Sequence, residues 1–199
     1  MEQLLFLDAC MRGQEVSRTA RLCRRFLEEY RALRPETRIV RRDLTGAELP
    51  VMTAARAEER DALARAGSDS PLLAPAREVA GSDLILVGAP YWDLSFPAAL
   101  KVCLEWASCL GITFRYTEEG AQVGMSRARA LVYVTTGGGP VRAQNLGYQY
   151  IQGWAAMMGV GETFCLAAEN LDVWGTDVEA ALARAEGEIP ALVRREAGI

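Results

Sequence analysis

Short apolar runs along the chain alternate with longer stretches in which apolar residues recur every three or four positions. Residues 3–8 (QLLFLD), 84–87 (LILV), 128–135 (ARALVYVT) and 161–166 (GETFCL) are runs of the first kind, rich in branched and aromatic side chains. Such runs fit parallel strands buried on both faces. Residues 37–44 (TRIVRRDL) read as a more polar strand, suited to a place near a sheet edge. Helices are expected at 17–33, where Ala20, Cys23, Leu27 and Tyr30 share a face, and at 54–66, 72–79 and 143–158. A polar helix at 177–196 closes the chain. Another follows the 84–87 strand, with Ser95 as its cap, Pro97 in its first turn, and Leu100, Cys103, Leu104 and Ala107 as its apolar positions. Residues 45–81 carry the weakest pattern, and residues 112–125 (ITFRYTEEGAQVGM) break the rhythm with a Glu-Glu-Gly turn that predicts a short excursion beyond the sheet. The alternation implies one α/β domain over 1–199, a doubly wound parallel sheet with helices on both faces.

Composition narrows the chemistry. The 199 residues suffice for one full core, and no stretch is apolar enough to span a membrane. The opening MEQLLFLDACMRG lacks the features of a signal peptide, and the five cysteines are scattered with no CxxC pair. Reduced thiols in a cytoplasmic protein are the expectation. A net charge of −4 with dispersed arginines argues against a nucleic-acid groove. Histidine is absent, which removes the commonest general base and the commonest metal ligand. No metal site is expected, and a cofactor that brings its own chemistry becomes attractive.

In an open parallel sheet, loops at the carboxyl ends of strands line the ligand crevice. Three such loops carry candidate chemistry. Residues 9–19 place Arg12, Gly13, Ser17, Arg18 and Thr19 before and inside the first turn of a helix, where free N–H groups, hydroxyls and guanidinium groups suit a phosphate. Ser17 as a plain helix cap is the other reading. Residues 90–95 present Pro90, Tyr91, Trp92, Asp93 and Leu94, which either hold a flat ring or only cover the sheet end. Residues 135–142 include Thr136, Gly137, Gly138 and Gly139, where a backbone can approach a ligand closely or simply turn. Together on one edge, the three loops suit a mononucleotide with a planar ring, FMN.

Four segments give this a family. GAPYWDLSFPAALK resembles the APMYNF-type flavin loop and following helix of the FMN-dependent NAD(P)H oxidoreductases, azoreductase and quinone-reductase branch. GITFRYTEEG is similar to that family's GVTFRYTENG signature nearly residue for residue, and is the most specific match. VTTGGGP stands where the family has a TSRGG-type loop, and SRT stands at its phosphate loop. The resemblance runs from Leu4 to about Glu169, with a vague middle over 45–81. It implies a flavodoxin-like sheet of order 2-1-3-4-5, with FMN at the switch point between the first and third strands. It also implies that Ser17, Arg18 and Thr19 hold the phosphate, residues 91–94 contact the isoalloxazine, and residues 136–139 lie along its pyrimidine side. Homodimers whose pocket draws on both subunits would put Phe114, Tyr116 and Met157 in the substrate pocket, with Tyr116 polarising the acceptor. Ordinary core packing of Phe114, Tyr116 and Met157 is the alternative.

The activity implied is transfer of two electrons from NADH or NADPH through FMN to a quinone, azo or nitro compound. Asp93 departs from the family's usual asparagine, Ala9 and Cys10 from hydroxyl residues, and Gly137 from an arginine, so weaker FMN binding is expected. A flavin-binding electron carrier is the alternative. A low-molecular-weight phosphatase, suggested by Cys10 with Arg12 and Arg18, lacks its C-x5-R loop, because Val16 stands at the required position.

Overall fold

The three most apolar runs form the centre of a five-stranded parallel sheet, because each has neighbours on both faces. The computed structural model describes residues 1–46 and 49–197. Positions 47 and 48, inside the poorly patterned 45–81 stretch, and 198 and 199, at the end of the expected domain, lie outside the described residues. The strands are β1 (Gln3–Asp8), β2 (Arg38–Asp43), β3 (Leu84–Gly88), β6 (Ala130–Thr136) and β7 (Glu162–Ala168), and a separate hairpin is made by β4 (Phe114–Tyr116) and β5 (Gln122–Gly124). Spatial order in the sheet is β2-β1-β3-β6-β7, which is 2-1-3-4-5 when the hairpin is set aside. The polar β2 is an edge strand, as expected.

Alternation along the strands builds two cores. Leu4, Phe6, Leu84, Leu86, Val132 and Val134 face one side, where α1 (Arg18–Leu33) and α6 (Val178–Ala197) cover them. Leu5, Leu7, Ile85, Val87, Leu131 and Tyr133 face the other, under α3 (Ala74–Gly81), α4 (Ala98–Ala107) and α5 (Leu146–Met158). Fully burying a side chain of this size stabilises the fold by about 1.5–3 kcal/mol. The remaining helix is α2 (Ala54–Arg65), which has no buried residue. Among the described residues no helix is long and apolar enough to cross a membrane.

Several boundaries depart from expectation for identifiable reasons. α4 starts at Ala98, so Ser95 is not its cap and Pro97 precedes its first turn. Phe96, as the residue before a proline, is biased away from helical geometry. Ser95 is also committed elsewhere, exchanging backbone hydrogen bonds with Trp92. α5 starts at Leu146 because the Asn145 side chain accepts from Tyr148 N at 2.8 Å and caps the helix there. β7 continues two residues past Leu166, paired with Thr135 and Thr136 of β6. The closing helix is amphipathic rather than polar: Ala181, Leu182, Ala185, Ile189 and Val193 are buried in the core shared with α1.

The excursion at 112–125 is the β4–β5 hairpin, and it docks backbone against backbone. A Cβ added at Gly124 would lie well under 3.0 Å from Gly159 N and Met158 C, and one at Gly159 would lie 2.9 Å from Gly124 C. Ser126 N donates to Met158 O at 2.9 Å and Met125 N to Thr113 O at 2.8 Å, tying down the returning strand.

Candidate functional site

Because all five sheet strands run parallel, the loops after β1, β3, β6 and β7 emerge at one edge. A cavity of about 360 Å3 opens among them. Ser17 caps α1: its Oγ accepts from Ala20 N at 3.1 Å, so the plain-cap reading of this residue is correct as far as it goes. Its hydroxyl hydrogen stays free to donate toward the cavity it lines. The N–H groups of Arg18 and Thr19, in the first turn, have no partner in the helix ladder. Thr19 Oγ1 and Thr136 Oγ1 sit 2.6 Å apart and buried, joining the α1 loop to the β6 loop. One of the two hydroxyls donates to the other, leaving one proton for a further acceptor.

Opposite them, the β3 loop is pinned to β6 by Tyr91 N donating to Thr136 O at 2.9 Å. Trp92 and Ser95 exchange two backbone hydrogen bonds, 2.8 and 3.1 Å, around Asp93 (φ 49°) and Leu94 (φ 67°). Two successive positive φ values define a type I′ turn. Aspartate tolerates that conformation, whereas a leucine there carries about 1–2 kcal/mol of strain. The turn fixes the half-exposed Trp92 at the cavity rim.

The glycine loop packs closely on its neighbours. A Cβ at Gly137 would overlap Val141 Cγ2 and come 3.3 Å from Tyr91 Cβ, so an arginine in that place has no room. A Cβ at Gly138 would overlap Asp172 Oδ2. Residues 137–139 accept hydrogen bonds at 2.9–3.1 Å from the N–H groups of Leu171, Asp172 and Asn170, which clamps the β7 loop onto the β6 loop.

Of the residues expected to contact a cofactor, Arg12, Ser17, Arg18 and Thr19 line the cavity on one side, Pro90, Tyr91 and Trp92 on another, and Thr136, Gly137 and Gly138 on the third. Asp93, Leu94 and Gly139 do not line it. Asp93 borders a neighbouring cavity of about 590 Å3 with Phe96, Pro97, Lys101 and Tyr150, and Trp92 stands between the two. Phe114, Tyr116 and Met157 lie elsewhere, on the hairpin and at the end of α5. Phe114 is half-buried against the α5 core, with its ring edge-on to Tyr116 at 6.0 Å, and Tyr116 is 57% exposed.

Val16, Leu171 and Asp172 also line the cavity and were not anticipated. The β7 loop is not marked in the sequence because β7 runs on through Ala167 and Ala168, beyond the 161–166 run. Asp172 forms an ion pair with Arg18 at 2.7 Å, while Arg12 has no ion-pair or hydrogen-bond partner among the described residues. Cys10 does not line the cavity: it is fully buried, with its Sγ near Gly88 O at 3.7 Å. Its thiol is pushed strongly up, first by its hydrogen bond with Cys23 and then by burial, so it is no phosphatase nucleophile.

The donor set fits one kind of molecule. Free N–H groups, hydroxyls and an unpaired guanidinium at one end suit a phosphate, and aromatic and glycine backbone surfaces at the other suit a planar ring. Residues 2–192 match the flavodoxin-like fold family. The chain belongs to that family. Among its relatives, an FMN-dependent NADH:quinone oxidoreductase 2 of Clostridium acetobutylicum is 33% identical over 187 residues, covering 92% of this chain and 93% of the relative. An FMN-dependent NADH:quinone oxidoreductase of Coprothermobacter proteolyticus is 30% identical over 202 residues, covering 98% and 100%. The fold is shared with an FMN-dependent NADH-azoreductase of Bacillus anthracis solved in complex with FMN, at a TM-score of 0.83 and 18% identity, covering 99% and 100% of the two chains.

Proposed function

We propose that this flavodoxin-like protein is an FMN-dependent NADH:quinone oxidoreductase, also able to reduce azo and nitro compounds. The observation that carries the reading is the convergence of the α1, β3 and β6 loops on one cavity whose ends differ in chemistry. FMN, when bound, supplies the redox chemistry, taking a hydride from NADH and passing two electrons to the acceptor. The chain's own residues bind and orient. Arg12, Ser17, Arg18, Thr19 and the first turn of α1 hold the phosphate. Pro90, Tyr91 and Trp92 would contact the isoalloxazine, partly through backbone groups, while Asp93 and Leu94, which do not line the cavity, hold the turn that places Trp92 at its rim. Thr136, Gly137 and Gly138 would follow the pyrimidine edge, the missing Cβ atoms of the two glycines leaving room for Val141 and Asp172 to pack behind them.

The protein acts as a cytoplasmic homodimer in this reading. Tyr116 and Met157 lie outside the chain's own cavity, so a role at the acceptor requires their delivery from a second copy. Phe114 supports Tyr116 edge-on, and Tyr116 polarises the acceptor by donating its hydroxyl hydrogen. The test is the visible spectrum of purified protein mixed with FMN, followed anaerobically by NADH and then a quinone. Bound-flavin absorbance that bleaches with NADH and returns with quinone is expected. Free-flavin spectra throughout would refute the proposal.

A further inference from the structure

Asp172 is the only acidic residue lining the cavity among the described residues, and its carboxylate lies over Gly138 and reaches to Arg18, a residue assigned to the phosphate. Its Oδ1 accepts from Arg18 Nη1 at 2.7 Å across that end. The carboxylate is built into place. Its backbone N–H donates to Gly138 O at 3.0 Å, its flanking residue Leu171 bonds Gly137 O at 3.1 Å, and Asn170 enters the loop with φ 62°. Glycine at 138 leaves the space that the Asp172 carboxylate fills.

We propose that Asp172 is a specificity-determining residue, an internal anion that occupies Arg18 until the phosphate of the incoming nucleotide displaces it. The inference rests on the FMN reading above. The pair is exchangeable because both side chains are open to water, 38% and 69% exposed, and such pairs contribute about 1 kcal/mol or less. A phosphate monoester brings a charge of about −1.5 to −2 and three acceptor oxygens, and so wins the guanidinium. The backbone of Asp172 stays in place when the contact is displaced, since its loop is bonded to residues 137–139, and the carboxylate stays within reach of the phosphate site. It therefore remains as an uncompensated negative charge beside the phosphate. That repulsion acts on FMN and not on riboflavin, which has the same ring system and no phosphate. Asp172 lowers the protein's preference for the phosphorylated flavin and makes the nucleotide easier to release.

Quenching of flavin fluorescence tests this, with FMN and riboflavin titrated in parallel. Asp172→Asn keeps the side chain's shape and removes its charge. The expected result is about fivefold tighter FMN binding, the upper range for an exposed pair, with riboflavin unchanged. FMN affinity of the variant should also fall more steeply with added salt, and Asp172→Glu should behave as the wild type. Weaker FMN binding by Asp172→Asn, or an unchanged ratio of FMN to riboflavin affinity, would overturn the inference while leaving the cofactor reading intact. Failure of the wild-type protein to bind either flavin would remove that reading and the inference together.

Discussion

Replacing Gly124 by alanine probes how the β4–β5 hairpin is attached. The new methyl group would sit well inside 3.0 Å of Gly159 N and Met158 C. Ordinary carbon contacts begin near 3.4 Å, and backbone atoms cannot rotate away as a side-chain tip can. The hairpin must shift by roughly an ångström, an overpacking strain of about 1–3 kcal/mol. The shift also stretches the Ser126 N to Met158 O bond, itself worth about 1 kcal/mol. A loss near 2 kcal/mol lowers the melting temperature of a chain this size by about 4–8 °C. FMN binding should survive, since the hairpin does not line that cavity, while quinone turnover falls because Tyr116 moves with it. Gly153→Ala on α5 is the control: its Cβ meets nothing within 4 Å, so the same substitution should stabilise by about 0.5–1 kcal/mol. Thermal melts by circular dichroism, flavin titration and quinone reduction give the three readings. A Gly124→Ala protein melting within about 1 °C of wild type with normal quinone turnover would refute the backbone-docking account.

Two more outcomes follow from named groups. Asp93→Asn should keep the type I′ turn, because asparagine also tolerates positive φ, and should raise the flavin midpoint potential by removing a carboxylate beside the Trp92 rim. A charge effect of about 1 kcal/mol corresponds to roughly 20 mV for a two-electron couple, and an unchanged potential by spectroelectrochemical titration would disprove it. Glu2 is pushed up by burial, but hydrogen bonds from Thr37 and Tyr30 and the charge of Arg129 outweigh this and hold it below 4.5. A depressed carboxylate contributes stability that is present above its unfolded value and lost as pH falls through its folded value. Urea midpoints of Glu2→Gln should therefore change less than those of wild type below pH 4.5, and parallel curves would argue against the linkage.

The central strands were legible because their side chains are buried on both faces: β1 (Gln3–Asp8) is the apolar run Leu4 to Leu7 with one polar residue at each end. α2 was legible for a different reason, since residues 54–65 are rich in Ala, Glu and Arg and form a helix with nothing buried. Ser95 misled because a good capping residue was spent on a turn instead. The contact between Gly124 and Gly159 joins positions with no local signature, so the docking of the hairpin could not be read from either. Asp172 was invisible for a similar reason: its partner Arg18 lies 154 positions away. The phosphate loop, the Trp92 turn and the glycine loop are legible from composition, whereas the cavity-lining part of the fourth loop, Leu171 and Asp172, has no glycine or hydroxyl to mark it.

The burial of Cys10, Cys103 and Cys109 has a consequence under the proposed quinone-reducing function. Quinones are electrophiles that alkylate thiolates, and only the ionised sulfur reacts at a useful rate. Burial pushes Cys103 and the partly covered Cys165 up to about 12, and raises Cys109 as well. At neutral pH these sulfurs stay protonated, and all but the partly covered Cys165 are buried. Under the proposed function, these four thiols would resist arylation by the quinone acceptor, and repeated turnover would leave them intact.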